Sequence, residues 1–246
     1  MRRTVPTLLW RELESLFFSP LAYIVLTVFL VLSGFSFVWS LKGGHGSVTD
    51  TLAIFLGDGL LFWVLLTLVP SLVTMRLVAE ERRTGTLEVL LTAPVRDGEV
   101  ILAKFLGALV FQAFLWAPTL IYIRILRGYG ALPDTGQLVT SYVGIAAATA
   151  LLTAVGLLFS TRTSNQIVAA VGSLTFNVLF LVLPALVAEE RFGLLQRLVA
   201  TISIADHFST SFSRGLLDSG QLAFYVAATT GALVLASRSL EARRWQ

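Results

Sequence analysis

The sequence predicts an all-α integral membrane protein with six transmembrane helices, and three observations support this fold class. Of the 246 residues, 56% are apolar and only 13% are charged, whereas a soluble domain has about 25% charged residues. The mean hydropathy of +0.82 indicates more apolar side chain than one soluble core of this length can bury. Six stretches also reach the roughly 20 apolar residues that a helix needs to cross a bilayer.

The predicted elements follow one another in a single membrane domain, 1–246. The first is an amphipathic helix over 4–18, because its apolar residues fall on one helical face and its charged residues on the other. We interpret it as an elbow helix lying along the cytoplasmic interface, the alternative being an extension of the first span. The spans are predicted at 20–41, 57–78, 100–123, 138–160, 167–188 and 221–240, the connection between spans 2 and 3 at 79–99, and an outer segment at 189–220.

The outer segment 189–220 is too long for a simple turn and too mixed in polarity for a span. Its apolar residues predict short helices of the re-entrant type, which dip into the outer leaflet or lie on it. Irregular backbone at that depth must be shielded by protein or face water.

The basic residues predict the orientation of the spans, because cytoplasmic connections carry an excess of Lys and Arg. Twelve of the 18 basic residues fall in the two termini and in the connections between spans 2 and 3 and between spans 4 and 5. Both termini are therefore predicted to be cytoplasmic. The twelve are Arg2, Arg3, Arg11, Arg76, Arg82, Arg83, Arg96, Lys104, Arg162, Arg238, Arg243 and Arg244.

Several kinds of chemistry are excluded by residues that the sequence lacks. There is no cysteine, and the two histidines, His45 and His207, lie outside the predicted spans, so Cys-liganded metal, thiol catalysis and an intramembrane Ser–His protease are not expected. The phosphate-loop pattern G-x-x-x-x-G-K-[ST] is also missing. We therefore predict no catalytic, cofactor-binding or metal-binding residue in this chain. A basic cluster interleaved with aromatic residues is absent as well, so no nucleic-acid partner is expected.

Polar residues inside the predicted spans have two interpretations. Small and hydroxylated residues usually mediate helix packing in lipid. Gln112 and Asn177 are candidates for lining a translocation path, because an amide in hydrocarbon needs a partner. Pro70, Pro118 and Pro184 interrupt three spans, and these prolines indicate either tolerated kinks or hinge points.

The connection between spans 2 and 3 is the most polar part of the chain. Charged residues at 80–83 are predicted to extend the second helix into water, and Gly85 to end it. A short helix over 86–92 then carries Leu87, Leu90 and Leu91 on one side, and Pro94 stops it. An apolar tip beside charges favours docking to a soluble partner, the alternative being an ordinary solvated loop.

Four segments of the sequence resemble the permeases of the ABC-2 class of ATP-binding-cassette transporters. The stretch MRLVAEERRTGTLEVLLTAPVRDGEVILAKFLGAL after the second span is similar to the loop of that class. LLWRELESLFFSPLAYIV resembles its elbow helix, STRTSNQIVAA the tight turn between spans 4 and 5, and ADHFSTSFSRGLLDSGQLAFYV the outer segment before span 6. Within the class, the chain is most similar to the gliding-motility permease GldF and its relatives.

The resemblance implies an inner-membrane permease subunit, with export as the direction and no cargo named by the sequence. It implies a second permease subunit, identical or different, and two separate ATPase subunits that carry ATP and Mg; an auxiliary periplasmic subunit is a further candidate partner. It also implies that the hairpin tip is a coupling helix seated on the ATPase. The residues that would form it are Glu80, Glu81, Arg82, Arg83, Thr84, Gly85, Thr86, Leu87, Glu88, Leu90, Leu91 and Pro94.

Two other functions remain open from the residues alone. A membrane anchor or scaffold that recruits a cytoplasmic partner without transport would use the same loop. An ion-coupled carrier would instead need intramembrane charge or strong symmetry between its halves, and the sequence shows neither.

Overall fold

The computed structural model describes residues 4–86, 96–187 and 201–242, and the regular elements within these ranges are helices. A π-helical turn occupies Ile54–Asp58, and a 3-10 turn occupies Phe212–Arg214. The helices are α1 (Thr4–Phe17), α2 (Pro20–Gly43), α3 (Val48–Ala53), α4 (Leu60–Thr74), α5 (Ala79–Thr84), α6 (Asp97–Trp116), α7 (Thr119–Gly128), α8 (Thr135–Arg162), α9 (Gln166–Val187), α10 (Ile204–Thr210) and α11 (Ser219–Glu241).

Five helical stretches in the described residues are long and apolar enough to cross a membrane, so the chain is a multi-pass membrane protein. Helix α9 has 22 residues and is apolar over Gln166–Val182. The five stretches are Pro20–Gly43, Val48–Thr84, Asp97–Gly128, Thr135–Arg162 and Ser219–Glu241.

Helix α8 is the centre of the bundle, packed against α4, α6, α9 and α11. Small residues let its neighbours approach closely, as is usual for helices in lipid. A Cβ atom on Gly156 would lie 2.1 Å from Thr74 Oγ1, and one on Gly144 would lie 2.6 Å from Cγ of Phe212. Neither contact leaves room for a side chain, so these two glycines set the distance between α8 and its neighbours.

Helices α2 and α11 lie at the outside of the bundle. Only 28% of the apolar window of α2 and 17% of that of α11 are buried, compared with 67% for α8. Their exposed residues are large and apolar, including Phe35, Trp39 and Val226. Such faces are stable only against lipid or another chain.

Two predicted spans are interrupted in the structure. The second span does not continue into the charged residues: α4 ends at Thr74, a turn occupies 75–78, and α5 is a separate helix. The third span breaks at Pro118, where the Thr119 hydroxyl donates to the Trp116 carbonyl at 2.5 Å. Proline cannot donate a backbone hydrogen bond, so the break is a consequence of its position inside the apolar run.

The described part of the outer segment begins at residue 201. It contains helix α10 and the 3-10 turn Phe212–Arg214, and their re-entrant placement in a membrane stays a prediction. Residues 188–200 lie outside the described part.

Candidate functional site

Helix α5 contains most of the described residues of the predicted coupling site. It begins at Ala79, and it ends at Thr84 because Gly85 takes a left-handed conformation with φ of 73°. The predicted residues Leu87, Glu88, Leu90, Leu91 and Pro94 lie outside the described residues.

The first turn of α5 is capped by a residue from another helix. The hydroxyl of Ser160, near the end of α8, accepts hydrogen bonds from the backbone N–H groups of Val78 and Ala79, both at 3.1 Å. Val78 and Ala79 are fully buried, so these two donors have no access to water. Ser160 therefore satisfies two of the N–H groups that every helix start leaves without an intrahelical partner.

A network of four charged residues joins α5 to α1 and α6. The Nζ atom of Lys104 lies 3.0 Å from Oε1 of Glu12 and 2.9 Å from Oε1 of Glu81. Arg11 Nη2 contacts the same two carboxylates at 2.9 and 3.4 Å. The Lys104 side chain is 1% exposed and that of Glu12 is 7% exposed. We call Arg11, Glu12, Glu81 and Lys104 the charged junction; it contains two charges of each sign, which is how a buried ionic group avoids a large desolvation penalty.

The neighbouring charges of α5 contact other elements. The Glu80 carboxylate pairs with Arg76 Nε at 3.0 Å, and the guanidinium of Arg76 donates to the hydroxyl of Ser19, the residue that caps α2. Arg82 Nη2 donates to the backbone carbonyl of Thr161 at 2.7 Å. The consecutive residues Glu80, Glu81 and Arg82 thus contact three different places in the protein. These are Arg76, the charged junction and the backbone of α8, respectively.

The opposite side of α5 is exposed. Arg83, Thr84, Gly85 and Thr86 are all exposed. The Thr84 hydroxyl donates to the Glu80 carbonyl at 3.0 Å and lies 3.0 Å from the Thr86 hydroxyl. This side leads directly into residues 87–95, and it is the part of the described site that a partner can reach.

The structure places the two predicted path residues between packed helices. Gln112 Nε2 donates to the Thr153 hydroxyl at 2.8 Å, which ties α6 to α8. Asn177 Nδ2 donates to the Ser71 hydroxyl at 3.1 Å, which ties α9 to α4. Both amides are at most 1% exposed. They act as interhelical ties within one chain, and their role in a translocation path stays a prediction.

Sequence reasoning did not anticipate Glu12, Lys104 and Ser160 as parts of this site. Lys104 enters the sequence prediction only as one of the basic residues that predict the orientation of the spans, although Lys104 lies inside the predicted third span. A lysine within a span is costly unless it is paired, and the sequence offers few carboxylates nearby, so this signal could have pointed to Glu12 and Glu81. Nothing in the sequence marks Ser160, because its partners are backbone groups.

Among the described residues, no group of three His, Asp or Glu side chains is placed to hold a metal ion. No curated protein matches the chain. The family model for the ABC-2 family transporter protein matches residues 21–237. That range includes α2 without its first residue, the whole of α5, and all but the last turn of α11. Because this match covers most of the chain, the chain belongs to the ABC-2 transporter family and is a membrane permease of an ABC transporter, the transmembrane component that associates with ABC ATPase subunits.

Proposed function

We propose that this chain is a six-span permease subunit, with α9 as the fifth span and both termini in the cytoplasm, and that 79–99 is its coupling element. ATP and Mg would be held by two partner ATPases, and a second permease subunit would complete the path. Export is the proposed direction, and the proposed likeness to gliding-motility permeases rests on the four sequence segments that resemble the class. The observation that carries the proposal is the attachment of α5 to α1, α6 and α8.

The contacts of α5 support a mechanical role. A helix joined to the bundle by one flexible linker would absorb a push from a partner. Helix α5 is instead tied to α6 through Lys104, to α1 through Arg11 and to α8 through Ser160. A displacement of the exposed side of α5 is therefore expected to move these helices together, since packed interfaces shift between discrete arrangements rather than deform continuously.

The first experiment distinguishes docking of the ATPase on this chain from transmission of the ATPase motion to the membrane helices. Leu90→Asp changes the predicted apolar tip. The triple substitution Glu12→Gln, Glu81→Gln and Lys104→Met removes three of the four charges of the charged junction and leaves only Arg11, whose side chain is 49% exposed. We expect Leu90→Asp to abolish copurification with the cognate ATPase. We expect the triple variant to copurify but to lose stimulated ATP hydrolysis. Arg238→Gln, at an exposed ion pair of the last helix, is the control. If Leu90→Asp left assembly and stimulated hydrolysis intact, the coupling assignment would be wrong.

A second experiment tests the orientation. The chain has no native cysteine, so Thr86→Cys introduces a single thiol on the exposed side of the turn after α5. We expect a membrane-impermeant maleimide to label it only after the cells are opened. Labelling from outside intact cells would place α5 on the wrong side of the membrane for an ATPase.

The alternative is a membrane anchor that recruits a cytoplasmic protein without transport. It predicts the same copurification and the same labelling. It also predicts that the triple variant changes nothing beyond stability, because an anchor transmits no motion. ATP-dependent transport in proteoliposomes by the complex would exclude it.

A further inference from the structure

A groove lies between α7 and α8, at the end of the bundle opposite the charged junction. Its volume is about 1,090 Å³, and most of its lining is apolar. A narrower cavity of about 360 Å³ continues from it between α6 and α8. Leu120, Tyr142 and Ala146 line both parts, so the two form one continuous groove along α8.

Two arginines stand at the wide end of this groove. Arg124 and Arg127 are three residues apart on the last turns of α7, which places them on the same helical face. Both line the groove and both are exposed. Neither takes part in an ion pair with any carboxylate of the described residues. Among the described residues, the lining of the wide end therefore includes two arginines and no carboxylate.

The length of the groove corresponds to one leaflet of a bilayer. Along α8 it extends from Leu138 to Thr149, a rise of about 16 Å at about 1.5 Å per residue. That distance is about half of the roughly 30 Å hydrocarbon core of a typical membrane. The arginines lie at the end of a candidate span, Asp97–Gly128, where lipid headgroups are found.

The walls of the groove are held in place by the protein itself. The break at Pro118 lies beside it, since Trp116 and Ala117 line the narrow part. The hydroxyls of Thr119 and Tyr142 lie 2.6 Å apart and join α7 to α8. The groove is thus formed before any ligand binds, which reduces the ordering cost of binding.

We propose that this groove binds an anionic phospholipid of the bilayer, with its phosphate on Arg124 and Arg127 and one acyl chain along α8. Guanidinium groups bind phosphate through paired hydrogen bonds, and they do so better than other cationic side chains. The apolar walls require an apolar occupant of one-leaflet length, which an acyl chain supplies. This lipid site is independent of the coupling role proposed for α5.

The headgroup is tested by native mass spectrometry of the full chain, purified with its partner subunits, delipidated, and then given dioleoyl phosphatidylglycerol or dioleoyl phosphatidylcholine. We expect the wild type to retain phosphatidylglycerol in preference to phosphatidylcholine. The double variant Arg124→Gln/Arg127→Gln should lose this preference, with retention of phosphatidylglycerol falling about tenfold. The control Lys42→Gln/Arg214→Gln removes two exposed cations at the same end of the bundle and should behave as the wild type. Equal retention of the two lipids by the wild type would overturn the proposal, as would equal losses in the two double variants.

The acyl chain is tested by filling the groove. Ala146 is exposed and lines both parts, so Ala146→Phe adds a ring inside the groove without entering the core. We expect retention of phosphatidylglycerol to fall severalfold. Ala227→Phe, at an exposed position of α11 that lines neither part, should leave it unchanged. Unchanged retention in Ala146→Phe would show that the lipid lies elsewhere.

Discussion

The two ends of the helix bundle are held together by different kinds of contact. At one end, the charged junction joins α1, α5 and α6 through ion pairs of 2.9 to 3.4 Å. At the other end, Phe62, Trp63, Phe208, Phe212 and Tyr225 form a cluster of aromatic rings, which we call the aromatic cluster. Its neighbouring ring centroids are 5.0 to 6.1 Å apart, as for Phe208 with Phe62 at 5.2 Å and with Phe212 at 5.3 Å.

The hydrogen bonds of Gln137 and Thr140 beside the aromatic cluster join neutral groups. Gln137 Nε2 donates to the carbonyls of Thr49 and Ser213 at 3.0 and 2.8 Å, and the Thr140 hydroxyl donates to the Phe212 carbonyl at 2.7 Å. Contacts of this kind respond to changes in volume and to the loss of a hydrogen bond. The charged junction responds instead to the loss of one charge, because the remaining charges are then buried without a partner. A substitution is therefore expected to lower stability for a different reason at each end of the bundle.

The largest effect is expected from Lys104→Met. It removes the central cation of the charged junction and leaves Glu12 and Glu81 with only Arg11. Breaking a buried ion pair costs roughly 3–5 kcal/mol, and we expect the free energy of unfolding to fall by about 3 kcal/mol, since Arg11 compensates in part. Unfolding monitored by tryptophan fluorescence in detergent measures the loss.

The triple variant Glu12→Gln, Glu81→Gln and Lys104→Met is the control for this prediction. It removes both signs together, so it should be more stable than Lys104→Met alone. If the single variant proved the more stable of the two, the junction would not be an ionic contact that contributes to folding.

The next largest effect is expected from Ser160→Ala. Two buried N–H donors, those of Val78 and Ala79, would lose their acceptor. An unsatisfied buried donor costs about 1–3 kcal/mol, so we expect a loss of about 2 kcal/mol. Ser173→Ala is a matched control, because the Ser173 hydroxyl bonds only the Ala170 carbonyl of its own helix. Equal losses in the two variants would contradict the capping of α5 by α8.

The sequence predicts the apolar spans well and the contacts of α5 poorly. The predicted spans 20–41 and 138–160 correspond to Pro20–Gly43 and Thr135–Arg162, because length and hydropathy are local properties of the chain. The contacts of α5 with Ser160 and Thr161 join residues that are 79 to 82 positions apart. They depend on how α8 packs, which no local pattern records. The sequence therefore predicts that the charged residues at 80–82 extend into water, whereas in the structure they contact other residues of the protein.

A smaller effect, at the opposite end, is expected from Gly144→Ala. The added Cβ would lie 2.6 to 3.0 Å from atoms of Phe212, which is fully buried. Overpacking of this kind costs about 1–3 kcal/mol, and we expect a value near the lower limit because the 3-10 turn that carries Phe212 is short. Gly231→Ala in α11 is the control: nothing lies within 4 Å of its added Cβ, so it should stabilise the helix by up to about 1 kcal/mol. Unchanged or increased stability of Gly144→Ala would show that helix α8 tolerates a methyl group beside Phe212, and an equal loss in Gly231→Ala would show that the loss does not come from overpacking.

The smallest expected effect is a dependence of stability on pH that arises at the aromatic end, from His207. Burial lowers the pKa of His207 below its usual 6.5, and the Thr201 carbonyl and the carboxylates of Asp206 and Asp218 oppose this shift only in part. The His207 ring contacts Tyr225, whose hydroxyl lies 3.3 Å from Nδ1. The unfolded chain takes up a proton at a higher pH than the folded one, so stability is complete above about pH 6.5 and falls as the pH drops towards the lower folded-state pKa.

We therefore expect the unfolding temperature of the wild type to fall between pH 7.5 and pH 5.5, and His207→Asn to reduce this slope. The effect is small because one group is responsible and its neighbours partly cancel the shift. His45→Asn is the matched control, since His45 is the other histidine of the chain and is exposed. If His45→Asn reduced the slope as much as His207→Asn, or if the slope had the opposite sign, the neutral buried imidazole would not be what makes the aromatic end sensitive to acid.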